Sequence, residues 1–244
     1  MIAINASKQG DDLRVTMGRE KLELLVCHQL KNFFMVEPHE CTLLKSGFQK
    51  ALKRVEKCFS QIANKYYFDG KDTLFNPFHS GQYSIFLYFL SREVWLGGDS
   101  ELADKIYYLN KTLNSFDLFY EIKMPNIFFL DHPYASILGR AQYKDYFIFQ
   151  QNCTVGNNHG IYPTFGEYVW LFSNAAVIGD CNIGNNVFIS IGAYVKDTDI
   201  PDNTIVFGKS PDLVIKSKSA EYFYSKSPFR YHQKLLTKHT KQDI

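Results

Sequence analysis

A six-residue repeat runs through the second half of the chain and limits the folds open to it. Large apolar side chains recur at this interval with one break of four additional residues, and the residue two places earlier in most hexads is Ala, Cys or Val. The frame consists of Ile137, Tyr143, Phe149 and Val155, then Phe165, Leu171, Val177, Ile183, Ile189 and Val195. Three short strands per turn of a triangular solenoid account for this spacing, with large aliphatics inside and small residues at the corners. An ordinary sandwich of short strands is the alternative, but alternation by two does not select a six-residue frame.

The first half has the period of helices instead. Apolar residues recur every three or four positions in the segments 18–34, 47–67, 80–96 and 99–115, with Gly, Asp, Ser and Pro between them. Gly97 and Gly98 followed by Asp99 indicate a helix end and a new N-cap. The sequence therefore predicts an α+β chain with a helical domain at 1–116, a parallel β-helix at 117–208 and a C-terminal tail at 209–244.

Composition excludes several classes of protein. The longest apolar runs, such as residues 85–90, are far shorter than the ~18 residues of a membrane span, and no charged-then-apolar leader opens the chain. We therefore expect a soluble cytoplasmic protein. The five cysteines are odd in number and form no CxxC pair, which argues against a disulfide framework or a zinc site, and we interpret Cys153 and Cys181 as packing residues. The seven histidines lack ligand spacing, so we expect no metal.

Charge is concentrated at the C-terminus. The formal net charge is only +2, but eight Lys or Arg stand against three Asp or Glu from Lys209 onward. Such a basic tail attracts phosphates or an acidic polymer, and its default interpretation is a solvated, partly disordered end. No nucleic-acid partner is expected.

Helices followed by a β-helix with one break in its repeat resemble the hexapeptide-repeat acyltransferases, and in particular the serine acetyltransferase family. That family opens a helix with Gly-Phe-His, and here Phe and His at 78–79 precede the segment 80–96. It also places an Asp fifteen residues before the His of a Leu-Asp-His motif, as Asp117 stands before His132. The resemblance implies a left-handed parallel β-helix and an acyltransferase.

Residue roles follow from the resemblance. It implies that His132 is the general base, that Asp117 orients the imidazole and that Asp131 shapes the acceptor site. The alternative interpretations are a His-Pro turn at a domain edge and a helix-capping Asp117.

The resemblance also implies acetyl-CoA as co-substrate, bound in a groove between neighbouring subunits of a homotrimer. Pairing of two trimers through the helical half is a further option. By position, Ser173, Asn174 and Ile191 match groove residues of the family, and Lys209 and Lys216 would meet the phosphates. For Ser173 and Asn174 the alternative is a simple exposed corner.

The loop after the first coils departs from the family pattern. The family returns from this loop through Arg-His-Pro, whereas this chain has Ile161-Tyr162-Pro163. Because Ile161 cannot pair with a buried serine carboxylate, we expect a polyhydroxyl acceptor that hydrogen-bonds and stacks on aromatic rings. Tyr162 is assigned to that site, together with Tyr134 and Tyr143, and His159 is either a second donor or a surface turn residue.

These observations predict an acetyl-CoA-dependent O-acetyltransferase that modifies a sugar hydroxyl in surface polysaccharide biosynthesis, of capsule or lipopolysaccharide. Two alternatives remain: a serine O-acetyltransferase with an altered pocket, and a non-catalytic trimeric solenoid scaffold. N-acetylation of an amino sugar also stays open, because an amine acceptor needs a base too.

Overall fold

Four helices build the N-terminal half of the chain, which a computed structural model describes over residues 13–239. Their bounds are α1 Arg19–Phe33, α2 Pro38–Phe59, α3 Ser80–Leu96 and α4 Ser100–Asn114. Helix α3 packs against both α2 and α4, and residues 81–91 of it are all buried. Two short strands, β1 Leu13–Val15 and β2 Thr73–Phe75, pair in parallel beside these helices.

The helix boundaries follow from local capping. The side chain of His79 caps α3, with its Nδ1 accepting from the backbone N–H of Gln82 at 3.4 Å, and Asp99 caps α4 in the same manner. Both positions confirm the predicted segments. Helix α2 begins nine residues before the predicted segment, because Glu37 and Glu40 form a capping box around a proline at the first helical position. Residues 1–12 of the predicted helical domain lie outside the described part of the chain.

Short parallel strands build the second half, and they stack into a three-sided solenoid of about five turns. Face A contains β4 Phe128–Leu130, β6 Phe147–Phe149, β9 Val169–Leu171, β12 Val187–Ile189 and β14 Thr204–Lys209. Face B contains β3 Phe116–Leu118, β5 Ser136–Leu138, β7 Thr154–Gly156, β10 Ala176–Ile178 and β13 Tyr194–Lys196. Face C contains β8 Thr164–Phe165 and β11 Asn182–Ile183. This architecture confirms the predicted fold class.

The solenoid core follows the predicted frame except at its first position. Phe149, Val155 and Leu171 are buried, as the six-residue frame requires, but Ile137 is 49% exposed. Leu138 takes the inward position instead and pairs with Val155 across face B. The placement of Ile137 inside the solenoid was wrong by one residue.

The spacing after Leu138 explains this shift, because the next inward residue, Tyr143, follows five residues later rather than six. The corner before Leu138 is irregular as well. The turn from face A to face B contains three residues in the later coils, at 150–152, 172–174 and 190–192, but five in the first coil, at 131–135. In each later coil the residue after the corner is Cys or Ala, and in the first coil it is the buried Ser136, whose hydroxyl accepts from the N–H of Cys153 at 3.1 Å. The two additional residues project Asp131 and His132 away from the solenoid.

The C-terminal segment is ordered against the rest of the molecule, which corrects the expectation of a solvated tail for residues 209–239. Strand β15 Asp212–Ser217 pairs antiparallel with β14, and helices α5 Ala220–Tyr224 and α6 Arg230–His239 follow. The segment returns along face A, where Phe223 packs on Phe188, and reaches the helical half, where Phe229 pairs with Ile62. Residues 240–244 of the predicted tail lie outside the described residues.

Candidate active site

The edge between faces A and B collects most of the residues that the sequence singles out, and we call it the A–B edge. It consists of the corners 131–135, 150–152, 172–174 and 190–192 and of the end of β14 beside β13. His132 lies in the first of these corners, Ser173 and Asn174 in the third and Ile191 in the fourth, beyond which Lys209 pairs with Tyr194. These predicted catalytic and cofactor residues therefore follow one line along the solenoid.

His132 is the reactive side chain that this edge presents to solvent. Its side chain is 85% exposed, and its Nε2 lies 3.7 Å from the nearer carboxylate oxygen of Asp131. The other oxygen of Asp131 accepts from the amide nitrogen of Gln150 at 2.8 Å. The amide oxygen of Gln150 in turn accepts from both the N–H and the hydroxyl of Ser173, each at 3.0 Å. A hydrogen-bonded chain thus fixes Asp131 beside His132 and links it to the cofactor-assigned Ser173.

Asp117 does not belong to this chain, which corrects the predicted pairing with His132. It lies in the middle of β3 and points outward, where its two oxygens accept from the hydroxyl of Tyr107 and from the ammonium of Lys111, each at 2.6 Å. Helix α4 supplies both partners, so each carboxylate oxygen is engaged from the side of the helical domain. The carboxylate that the structure places beside the imidazole is that of Asp131.

A cavity of about 300 Å³ opens beside His132, between the solenoid and the start of α3. Tyr66, Phe78 and His79 line it together with Asp131 and His132. Burial lowers the pKa of His79, and the nearby His132 lowers it further, which favours a neutral imidazole. His79 was predicted only as the start of a helix, and its role as a lining residue depends on how α3 docks on the solenoid.

The predicted groove residue Ile191 borders a second cavity, of about 440 Å³, on face A near the A–B edge. Phe172, Phe188 and Phe207 line it together with Ile191, which is 71% exposed. The ammonium of Lys216 lies over the Phe207 ring, 5.5 Å from its centroid. The structure therefore brings Lys216 to an apolar surface beside Ile191.

Asn174 has a structural contact in the single chain. Its backbone is in the left-handed region with φ of 63°, and its side-chain oxygen accepts from Asn152 of the preceding corner at 3.1 Å. Asparagine adopts this conformation more readily than most residues, and the contact links two neighbouring corners of the A–B edge.

The other predicted acceptor residues lie elsewhere in the single chain. His159 and Tyr162 lie on the loop between β7 and β8, at the edge between faces B and C, and the hydroxyl of Tyr162 accepts from the amide of Asn157 at 3.2 Å. Tyr143 is a core residue that stacks on Phe165 at 5.3 Å, which corrects its assignment to a cleft. Within one subunit these side chains do not share the cavity of His132.

The described residues hold no group of three or more His, Cys, Asp or Glu side chains arranged to bind a metal ion. Over residues 13–239, no helix combines the length and apolar character needed to cross a membrane. The five cysteines are free thiols, and Cys153 and Cys181 are buried in the solenoid.

A helical domain followed by a parallel β-solenoid matches the fold of solved serine acetyltransferases. The chain superposes on the Brucella abortus enzyme with a TM-score of 0.62 and 14% identity, over 83% of this chain and 84% of that one. For the Neisseria gonorrhoeae enzyme the TM-score is 0.62 and the identity 18%, over 84% and 82% of the two chains. For a serine acetyltransferase in complex with CoA the TM-score is 0.61 and the identity 14%, over 80% of this chain and 83% of that one. The resemblance expected from the sequence is confirmed at the level of the fold.

Sequence comparison adds no closer assignment. No protein-family model matches the chain, and no curated protein sequence is significantly similar to it.

Proposed function

We propose that the protein transfers an acetyl group from acetyl-CoA to a sugar hydroxyl, with His132 as general base. The observation that carries this proposal is the chain from His132 through Asp131 and Gln150 to Ser173, which joins the predicted base to the predicted cofactor edge. The similarity in fold to serine acetyltransferases, one of them bound to CoA, supports the same class of reaction.

The reaction is a direct acyl transfer. A neutral alcohol is a weak nucleophile, so His132 removes its proton as the oxygen attacks the thioester carbonyl carbon. The new C–O bond forms, the C–S bond breaks, and the imidazolium returns its proton to the departing CoA thiolate. The carboxylate of Asp131 would stabilise the imidazolium, and backbone N–H groups of the A–B edge would meet the developing oxyanion.

Acetyl-CoA is assigned to the A–B edge. Its apolar arm would lie along the surface that Ile191 and Phe207 form, and Lys209 and Lys216 would meet its phosphates. This edge is the surface that a homotrimer, with its groove between neighbouring subunits, would cover. A neighbouring subunit would also be required to bring His159 or Tyr162 near His132.

The acceptor is inferred from the lining of the His132 cavity. Among the ten residues that line it there is no Lys or Arg, and Asp131 contributes a negative charge. An α-carboxylate such as that of serine would therefore enter without a cation, at a cost of several kcal/mol for a stranded charge. The exposed rings of Tyr66 and Phe78 instead offer faces on which a sugar stacks. This contrast favours a sugar acceptor, as in capsule or lipopolysaccharide modification, over serine.

An acceptor panel tests the proposal. Purified protein is given acetyl-CoA with L-serine, neutral sugars, amino sugars or oligosaccharide fragments, and free CoA thiol is followed together with the mass of the product. We expect thiol release with a sugar and an increase in its mass by one acetyl group. Turnover with serine and with none of the sugars would assign the serine alternative, and the absence of turnover with every acceptor of the panel would favour a scaffold.

A further inference from the structure

A third cavity, of about 480 Å³, lies between the turn at residues 63–68 and helix α6. The C-terminal segment creates this cavity by docking on the helical half, where the backbone N–H of Arg230 donates to the carbonyl of Gln61 at 2.9 Å. Lys65, Arg230 and Lys234 line it, and no Asp or Glu does. We call it the cationic cavity.

The three cations of this cavity are not neutralised. Within residues 13–239, none of them makes an ion pair with a carboxylate. One terminal nitrogen of Arg230, Nη2, is buried and has no hydrogen-bond partner in the described structure. Leaving such a donor unsatisfied costs about 1–3 kcal/mol, so the arrangement favours a ligand that supplies an acceptor.

Arg230 is held in place before any ligand binds. Its guanidinium lies over the ring of Phe68, 4.0 Å from the centroid, and α6 is anchored behind it by the buried His232. A guanidinium fixed by stacking presents its N–H groups in a fixed orientation, which matches the planar oxygens of a carboxylate or the oxygens of a phosphate.

The cationic cavity adjoins the cavity of His132. Asn64 lines both, and the turn that follows it directs Tyr66 and Tyr67 to the His132 cavity and Lys65 and Phe68 to the cationic one. The ammonium of Lys65 also lies 5.1 Å from the centroid of the Tyr66 ring. A molecule that extends from the His132 cavity past Asn64 would therefore enter a cavity that three cations line.

We propose that the cationic cavity binds an anionic group, a carboxylate or a phosphate, on the acceptor whose hydroxyl reacts at His132. This inference rests on the proposed function and narrows the acceptor to an acidic or phosphorylated glycan. The anionic group and the reacting hydroxyl of the acceptor would then lie in two neighbouring cavities, because no Lys or Arg lines the His132 cavity itself.

The test compares charged and neutral acceptors on the full-length protein. The carboxylate probe is a trigalacturonate, the phosphate probe is glucose 1-phosphate, and the neutral references are maltotriose and glucose. The variant K65Q/K234Q removes two exposed lysines and leaves Arg230 in place. The matched control is K50Q/K53Q, which removes two exposed lysines from α2 outside both cavities.

We expect the wild-type protein to bind at least one charged probe roughly tenfold more tightly than its neutral reference, and K65Q/K234Q to lose that preference. The control should retain the preference, and the KM for acetyl-CoA should be equal in all three proteins. The charged probe that is preferred identifies the source of the anion. An unchanged preference in K65Q/K234Q, or no preference in the wild type, would overturn the proposal.

Binding and turnover are measured separately, so that the two proposals fail separately. Charge-dependent binding without thiol release from acetyl-CoA would support the proposed anion site and contradict the proposed transferase activity. Thiol release with neutral sugars and no preference for charged probes would support the transferase activity and contradict the anion site.

Discussion

His132 lies in the only one of the four corners named along the A–B edge that is five residues long. Its backbone is in the left-handed region, with φ of 52°, and Ala135 at the end of the same corner has φ of 55°. The later corners use Asn152, Asn174 or Gly192 for this conformation, which such residues adopt at lower cost. The first corner thus departs from the packing rule of the solenoid at the point where it exposes an imidazole.

Two single substitutions, at Asp131 and at Asp117, test which carboxylate assists His132. We expect Asp131→Asn to lower kcat roughly tenfold or more, because a charge about 4 Å from an imidazolium is worth about 1–4 kcal/mol between bulk and near-surface dielectrics. Asp117→Asn should leave kcat within about twofold, since its partners are Lys111 and Tyr107. Steady-state rates with saturating acetyl-CoA measure both.

Equal folding of the two variants is the control. The exposed Lys111–Asp117 pair contributes about 1 kcal/mol or less, so a thermal melt should show both proteins folded. A large loss of kcat in Asp117→Asn with normal activity in Asp131→Asn would restore the pairing that the sequence predicts.

The sequence identifies some of these site residues and misses others for a physical reason. The motif at 130–132 and the corner residues Ser173 and Ile191 were assigned by the family resemblance, and their placement along the A–B edge depends on the solenoid alone. The partners of Asp117 cannot be read from local sequence, because Tyr107 and Lys111 reach it only through the docking of α4 on β3. His79 and the cationic cavity depend in the same way on contacts between distant segments.

At the scale of elements, the repeat predicts the strands well wherever the corner length is constant. Tyr143 and the following frame positions are all inside the solenoid, including Phe165 after the four-residue break. The frame misplaces Ile137 because the inward residues Leu138 and Tyr143 are five residues apart, and a fixed count by six cannot detect the shorter interval. Helix α2 was predicted too late in the chain, at 47–67 instead of 38–59, because Glu37 is a less common N-cap than Ser, Thr, Asp or Asn.

Two neighbouring alanine substitutions test the register of the first coil. We expect Leu138→Ala to lower the free energy of unfolding by about 2–5 kcal/mol, because Leu138 is fully packed in the solenoid. Ile137→Ala should lower it by about 1 kcal/mol or less, since that side chain is half exposed. Urea denaturation of both variants measures the difference, and the reverse order would restore the six-residue count.

At the scale of the molecule, the C-terminal segment joins the solenoid to the helical half. His232 anchors it: its ring is 3% exposed, stacks on Tyr224 at 5.0 Å and lies 4.3 Å from the ring centroid of Tyr168. Its Nδ1 is 2.7 Å from the hydroxyl of Ser227. Burial lowers the pKa of His232 from its ordinary 6.5 to about 4.

This lowered pKa makes docking of the segment sensitive to acid. The folded form holds His232 neutral, so the stability is fully present above pH 6.5 and is lost as the pH falls toward 4, by about 3 kcal/mol in all. We expect the urea midpoint to fall over this range, and to fall less in His232→Gln.

An exposed histidine provides the control. His28→Gln lies on α1 away from the segment and should retain the wild-type dependence on pH. Equal slopes in His232→Gln and the wild type would show that other groups cause the acid sensitivity.

The rate of CoA release from acetyl-CoA in His132→Gln tests the central claim most directly. A positioned general base contributes typically 10²–10⁴-fold, so we expect kcat with the best sugar acceptor to fall by at least about a hundredfold. The fold of the variant should be unchanged, because the side chain is exposed and lies outside the core. Wild-type turnover in His132→Gln would contradict the assignment of His132 as the base and, with it, the mechanism proposed for this site.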